Sequence, residues 1–162
     1  MAFKKTTPEV IEALNEVLTA ELTAINQYFV HAEMCENWGY ERVAKRIRKE
    51  AIDEMKHAEQ LIERILYLDS IPNVQRLGKI NLGEGVVEAM RCDLALEQEA
   101  VARLNRLVPV VREAGDAGSA LLLEEILEAE EEHLDWIEAQ LEQVEQVGDQ
   151  NYLAEQIRSS EG

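Results

Sequence analysis

The sequence predicts an all-α protein: a four-helix bundle with a long crossover between the second and third helices and a short fifth helix at the C-terminal end. Three observations carry this. Only eight Gly and three Pro punctuate 162 residues, so helix-breaking positions are few. Between them lie four stretches of about thirty residues in which apolar side chains recur at steps of three and four. The one long irregular segment, "DSIPNVQRLGKINLGEG", falls in the middle of the chain.

The first helix starts at "TTPEVIEALN", with Thr7 as N-cap, Pro8 in the first helical position and Glu9 in the first turn. It runs to about "ENWGYE", where Gly39 breaks the pattern. The second spans about Tyr40 to Leu68, the third about Glu84 to Arg112, and the fourth about Gly118 to Val147. Gly148 stops the fourth, and "NYLAEQIR" reads as the short fifth helix. Helices of this length are roughly 40 Å long at about 1.5 Å per residue, the proportions of a bundle rather than of a globin-like packing. Short links make antiparallel pairs of helices one and two and of three and four. The middle link has roughly 15 residues at about 3.3 Å each, enough to return along the bundle and make helices two and three parallel.

Length and an apolar content of 46% are those of one domain with its own core, expected over residues 1–162. The net charge of −17 argues against nucleic acid and anionic lipid as partners and is compatible with attracting cations. Cys35 and Cys92 form no CxxC pair, so neither a disulfide framework nor a zinc site is expected. The N-terminal "MAFKKTTPEV" carries no apolar signal region, and no long uninterrupted apolar run follows, so a cytoplasmic, non-membrane protein is expected.

An internal repeat carries the chemistry. The first helix has a core stripe of Leu14, Leu18, Glu21, Ile25, Tyr28, Ala32 and Cys35, in which Glu21 is the one acid. Adding 76 to each number gives Met90, Leu94, Glu97, Val101, Leu104, Val108 and Val111, again with one acid at the same place. The same shift turns Glu54 and His57 into Glu130 and His133, each pair a Glu-x-x-His on the core stripe of its helix. Each half of the chain is thus a helix with one core Glu followed by a helix with a core Glu-x-x-His.

Four carboxylates and two imidazoles aimed into one apolar bundle cost several kcal/mol each unless something pairs them, and two bases cannot neutralise four acids. A pair of divalent metal ions supplies the missing charge, and an oxygen and nitrogen donor set without thiolate suits iron or manganese better than structural zinc. The flanking acids Glu128, Glu131 and Glu132 lie off this face and are expected in solvent, as are Glu50, Asp53, Glu59 and Glu99. Met55 points about 100° from Glu54 and about 160° from His57 around the helix, so it cannot share their site. With Ile52, Ile62 and Leu66 it forms a second apolar stripe, which implies a subunit interface. A thioether is also able to ligate haem iron, though spacing alone does not demand it.

The chain resembles bacterioferritins through "ELTAINQYFVHAEM", "WG", "IDEMKHAEQLIERIL", "IPN", "RCDLALEQE", "ILEAEEEHLDWIEAQLE" and "NYL", over nearly its whole length. Helix bundles of the ferritin type hold two metals with this same donor set. The resemblance implies a hollow shell of 24 subunits built from two-fold dimers, which oxidises Fe(II) with oxygen or peroxide and stores Fe(III) mineral inside. It implies that Glu21, Glu54, His57, Glu97, Glu130 and His133 hold a di-iron centre with Glu54 and Glu130 bridging, and that Tyr28 can supply an electron. It further implies haem b held by Met55 from each of two subunits, with electrons for iron release coming from a small iron–sulfur ferredoxin. Some members place a His and an Asp four apart as an extra iron site on the inner surface; here Lys49 and Asp53 stand there, a departure from that pattern. The competing readings are a rubrerythrin-like peroxidase, disfavoured by the missing CxxC module, and a structural or cation-buffering helical protein, which leaves the repeat unexplained.

Overall fold

The computed structural model describes residues 5–158. Four long helices and a short fifth follow in order: α1 (Pro8–Asn37), α2 (Glu41–Tyr67), α3 (Val86–Glu113), α4 (Ala117–Val147) and α5 (Asp149–Gln156). Each agrees with its expected span to within about two residues, the usual scatter of helix ends. Gly39 (φ 91°) and Gly148 (φ 85°) take left-handed backbone between α1 and α2 and between α4 and α5, a conformation a side chain would oppose. Thr7 occupies the N-cap position of α1 as expected, but its hydroxyl makes no capping bond. The capping bond is instead at α4, where Asp116 accepts from Ser119 N at 3.0 Å. Pro109 lies on the exposed side of α3, where water can satisfy the carbonyl that its missing N–H strands.

α1 packs on α2, α3 on α4, and α1 on α3, closing a bundle. Two apolar clusters fill it. One gathers Leu14, Leu18, Leu61, Ile65, Leu104 and Leu123; the other gathers Ala32, Cys35, Ile47, Met90, Ile137 and Tyr152. Along each helix the charged core residues of the repeat fall between these clusters, so the polar layer is sealed from both ends. Ile25, Leu94, Val101 and Val108 of the expected stripes are only partly buried.

The crossover runs along α1 and is held there by side chains of α1. Asn73 N donates to Asn15 Oδ1 (2.8 Å), Gly78 N to Thr23 Oγ1 (2.8 Å), Asn81 N to Gln27 Oε1 (3.0 Å) and Gly83 N to His31 Nε2 (3.0 Å). Ascending loop numbers match ascending helix numbers, so the link travels in the direction of α1. It delivers α3 antiparallel to α1 and therefore parallel to α2. Irregular backbone needs partners for its N–H groups, and a polar stripe on α1 supplies them.

One end of this ladder is anchored by a buried acid. Asp93 accepts from Gln27 (2.8 Å) and pairs with His31 Nδ1 (2.7 Å), all three residues being buried. Burial pushes the Asp93 carboxyl up, while His31 and Gln27 pull it back. Asp93→Ala is expected to destabilise the iron-free protein by about 3 kcal/mol, because His31 and Gln27 lose a buried partner. Chemical denaturation measures this; an unchanged midpoint refutes the anchoring role.

Candidate metal centre

The polar layer draws one turn from each long helix. Glu21 comes from α1, Glu54 and His57 from α2, Glu97 from α3, and Glu130 and His133 from α4. A separation of three residues puts carboxylate and imidazole on one helix face. Glu21, Glu54, Glu97, Glu130 and His133 are at most 3% exposed. The His57 side chain is slightly more open, at 12%.

The six approach one another closely. His57 Nδ1 lies 3.3 Å from Glu130 Oε1 and 3.5 Å from Glu21 Oε2. His133 Nδ1 lies 3.1 Å from Glu54 Oε1 and 3.7 Å from Glu97 Oε1. These are ion-pair distances, yet Glu21 Oε2, Glu54 Oε1, His57 Nδ1, Glu97 Oε2, Glu130 Oε1 and His133 Nδ1 all lack a hydrogen-bond partner. The separations are short and the directions wrong for hydrogen bonding. Among the described residues the one other such orphan is Thr7 Oγ1. Each buried orphan costs about 1–3 kcal/mol, so six in one layer are compatible with a ligand that is not a neighbouring side chain.

The donors sort into two quartets, Glu21, Glu54, His57, Glu130 and Glu54, Glu97, Glu130, His133, in each of which the donor atoms lie within 4.8 Å of one another. Each quartet could hold one cation. Glu54 and Glu130 belong to both, and a carboxylate has two oxygens, so these two are positioned to bridge a pair of ions. All-oxygen and nitrogen donors, three acids to one imidazole, are the set that iron and manganese accept.

Electrostatics follow from burial and crowding. Burial alone would raise Glu54, but contacts with His133, His57 and Glu130 hold it below the ordinary range. Glu130 is pushed well up by burial and then by the charges of Glu54 and Glu97. Without metal, Glu130 thus keeps a proton that Glu54 has lost. Burial opposes a charge on His133, but the Glu54 and Glu97 carboxylates facing its ring outweigh burial and raise the imidazole to about 11. A cation entering the site displaces these protons.

Tyr28 is fully buried and its hydroxyl donates to Glu97. Burial and then the Glu97 charge push the phenol well up, so it stays protonated. A cavity of about 160 Å³ is lined by Glu21, Glu54, Glu97 and Glu130 at one end and by the exposed Lys79 and Glu99 at the other, which connects the layer to solvent between α1, α3 and the crossover.

Two acids expected in solvent lie elsewhere. Glu50 is 1% exposed, 3.3 Å from Arg46 Nε, because α2 turns this edge towards α4. Asp53 is half-buried and accepts from His133 Nε2 (3.2 Å) and Lys49 Nζ (3.3 Å). A carboxylate on Nε2 directs the other ring nitrogen, Nδ1, to the metal side. Sequence reasoning missed both because their partners lie on another helix or off the core stripe. Met55 lies outside the layer at 47% exposure, with Ile52 and Leu66 also exposed, whereas Ile62 of the same expected stripe is partly buried against the core.

Burial raises Glu50 to about 8 from an ordinary 4.5. Because the folded value is the higher, its stabilising contribution is present below about pH 4.5 and is lost as pH rises through about 8. The iron-free protein should therefore lose stability between pH 5 and 8, at up to about 1.4 kcal/mol per unit from this group. Glu50→Gln, which mimics the protonated acid, should flatten that slope in thermal unfolding. Parallel pH profiles for the two proteins would contradict the assignment.

Comparison with known proteins agrees with this geometry. A ferritin-like domain profile matches residues 11–147. The chain is 49% identical to the bacterioferritin of Mycobacterium leprae (strain TN) over 148 residues, covering 91% of this chain and 93% of that protein. It is 48% identical to the bacterioferritin of Streptomyces coelicolor (strain ATCC BAA-471 / A3(2) / M145) over 154 residues, 95% of this chain and 92% of that one. It is 39% identical to that of Brucella melitensis biotype 1 (strain ATCC 23456 / CCUG 17765 / NCTC 10094 / 16M) over 145 residues, 90% of each. No helix among the described residues is long and apolar enough to cross a membrane. Identity sustained over nine-tenths of both chains, on a bundle whose buried carboxylates and imidazoles gather into two quartets, makes this chain a member of the bacterioferritin family.

Proposed function

We propose that this chain is an iron-storage ferroxidase acting as one domain in the cytoplasm. The observation that carries the reading is the convergence of six buried, unpartnered donor atoms on two quartets that share two carboxylates. In this reading Fe(II) is the substrate. It reaches the layer through the cavity whose outer end carries Glu99 and Lys79, and binds between Glu21, Glu54, His57, Glu97, Glu130 and His133 as a di-iron centre.

Two Fe(II) ions each give up one electron. Oxygen takes the two electrons and two protons to become hydrogen peroxide, or peroxide takes them to become two waters. The proton that Glu130 holds before metal enters is released as the ions bind. Asp53 keeps His133 oriented, and Glu54 and Glu130 shift their oxygens to suit the harder Fe(III). Tyr28, on Glu97, is in place to give a further electron. Fe(III) then moves into the cavity of a 24-subunit shell.

Two copies of α2 meeting at a two-fold axis would put Met55 of each subunit in place to hold a shared haem b, since the exposed thioether among Ile52 and Leu66 is a soft iron ligand in an apolar setting. A haem held by Met55 would supply electron transfer for the reductive release of stored iron, with a small iron–sulfur ferredoxin as the electron donor.

The test is an aerobic Fe(II) titration of the iron-free protein, counting ions oxidised fast per chain and following excess iron by size. A fast phase ending near two per chain, with the excess retained on a shell-sized species, is the expected result. Fast oxidation without retention would point to a di-iron peroxidase, and no fast phase would reject the ligand roles of all six residues.

A further inference from the structure

Arg42, Lys45, Arg46 and Lys49 form one stripe on the N-terminal half of α2. Like charges at these spacings repel one another. In a chain of net charge −17 the clustering runs against composition, and the repeat does not require it: adding 76 leads to Gly118, Leu121, Leu122 and Glu125. The stripe forms one wall of a cleft of about 650 Å³. The facing wall, from α4, offers Trp136, Gln140 and Gln143, and the one acid in the lining is Glu155 of α5.

The cations are held rather than loose. The Arg46 guanidinium stacks over the Trp136 ring at 4.6 Å and lies 3.3 Å from the buried Glu50. Burial pushes Glu50 up to about 8, so at neutral pH it leaves most of the Arg46 charge uncancelled. Gln140 Oε1 is taken by the Tyr152 hydroxyl at 2.7 Å, which leaves its amide nitrogen as a donor. Lys49 is neutralised by Asp53. Arg42 has no ion-pair partner among the described residues. The cleft therefore presents two guanidinium groups and an amide against one exposed acid. Guanidinium forks match tetrahedral oxyanions, whose several charges can satisfy several cations at once. The surrounding acidic surface disfavours a nucleic-acid backbone, which would have to run far beyond the cleft.

We propose that this cleft binds a multiply charged tetrahedral oxyanion of the phosphate class between Arg42 and Arg46. Binding requires no iron, so the inference stands apart from the ferroxidase reading and is tested on iron-free protein. Inorganic phosphate titrated calorimetrically into the full-length iron-free protein should fill one site per chain, and sulfate should displace it. In Arg42→Gln/Arg46→Gln the affinity should fall at least ~10-fold. Arg106→Gln, at an exposed arginine paired with Glu16, should leave it unchanged. Absence of binding, equal losses in both variants, or equal displacement by chloride at the same ionic strength would overturn the proposal.

Because Arg46 supports α2 against α4, a second readout uses the unaltered cleft. With Trp38→Phe, Trp136 is the one remaining tryptophan. Its emission should then shift on phosphate addition as Arg46 is drawn from the ring. Unchanged emission at saturating phosphate would equally overturn the proposal.

Discussion

Glu130→Gln should abolish the fast phase of Fe(II) oxidation, lowering the initial rate at least ~100-fold, and should at the same time raise the melting temperature of the iron-free protein. Glu130 belongs to both quartets, so one change alters both proposed cation positions at once. A neutral amide matches the carboxylate in shape but not in charge. Without metal the balance reverses. Glu130 is pushed up by burial and by Glu54 and Glu97, so its carboxylate form is costly there. A neutral isostere relieves that cost by about 1–2 kcal/mol.

Opposite signs on activity and stability are the signature of a group kept for a ligand. Glu131→Gln, one residue away but exposed, should change neither quantity. Stopped-flow oxidation and thermal unfolding on the same preparations decide it. A Glu130→Gln protein that oxidises iron at the parent rate would remove the central residue of the proposed mechanism.

Met55→Leu should eliminate haem from the purified protein while leaving the size of the assembly and the fast oxidation phase unchanged. Leucine retains the apolar bulk that exposed Met55 shares with Ile52 and Leu66, so burial at the proposed interface between copies would persist. What it loses is the sulfur lone pair, the one feature of this stripe able to ligate iron. Absorbance of the haem Soret band against protein concentration gives the loading. Full haem content in the variant would place the axial ligand elsewhere, and collapse of the assembly would show that Met55 serves packing instead.

Much of the polar layer is legible in the sequence because its carboxylates and imidazoles obey two periodicities. The i, i+3 spacing fixed which acids share a face with His57 and His133, and the shift of 76 tied the two halves together. Glu128, Glu131 and Glu132 were separated from Glu130 on that basis, and the structure places Glu128, Glu131 and Glu132 at the surface with Glu130 at 1% exposure. Glu50 defeated the same reasoning. Its immersion depends on how far α2 is rotated towards α4 and on Arg46 and Trp136 closing over that edge. The ladder of Asn15, Thr23, Gln27 and His31 was present as a polar stripe at steps of eight and four, and a long link in need of partners was the signal that would have found it.

By itself the sequence determined the helices, their order, the apolar faces and which four carboxylates and two imidazoles turn inward, because each is a property of one helix turn or of a repeat between turns. Only the tertiary structure decided that His133 meets Asp53, 80 residues away, and that His31 meets Asp93, 62 away. It alone also divided the donors into two quartets that share Glu54 and Glu130. Helical period states which way a side chain points from its own axis. The axial rotation and depth at which four such axes settle is set by close packing of the two apolar clusters around the polar layer, and no periodicity along the chain records that.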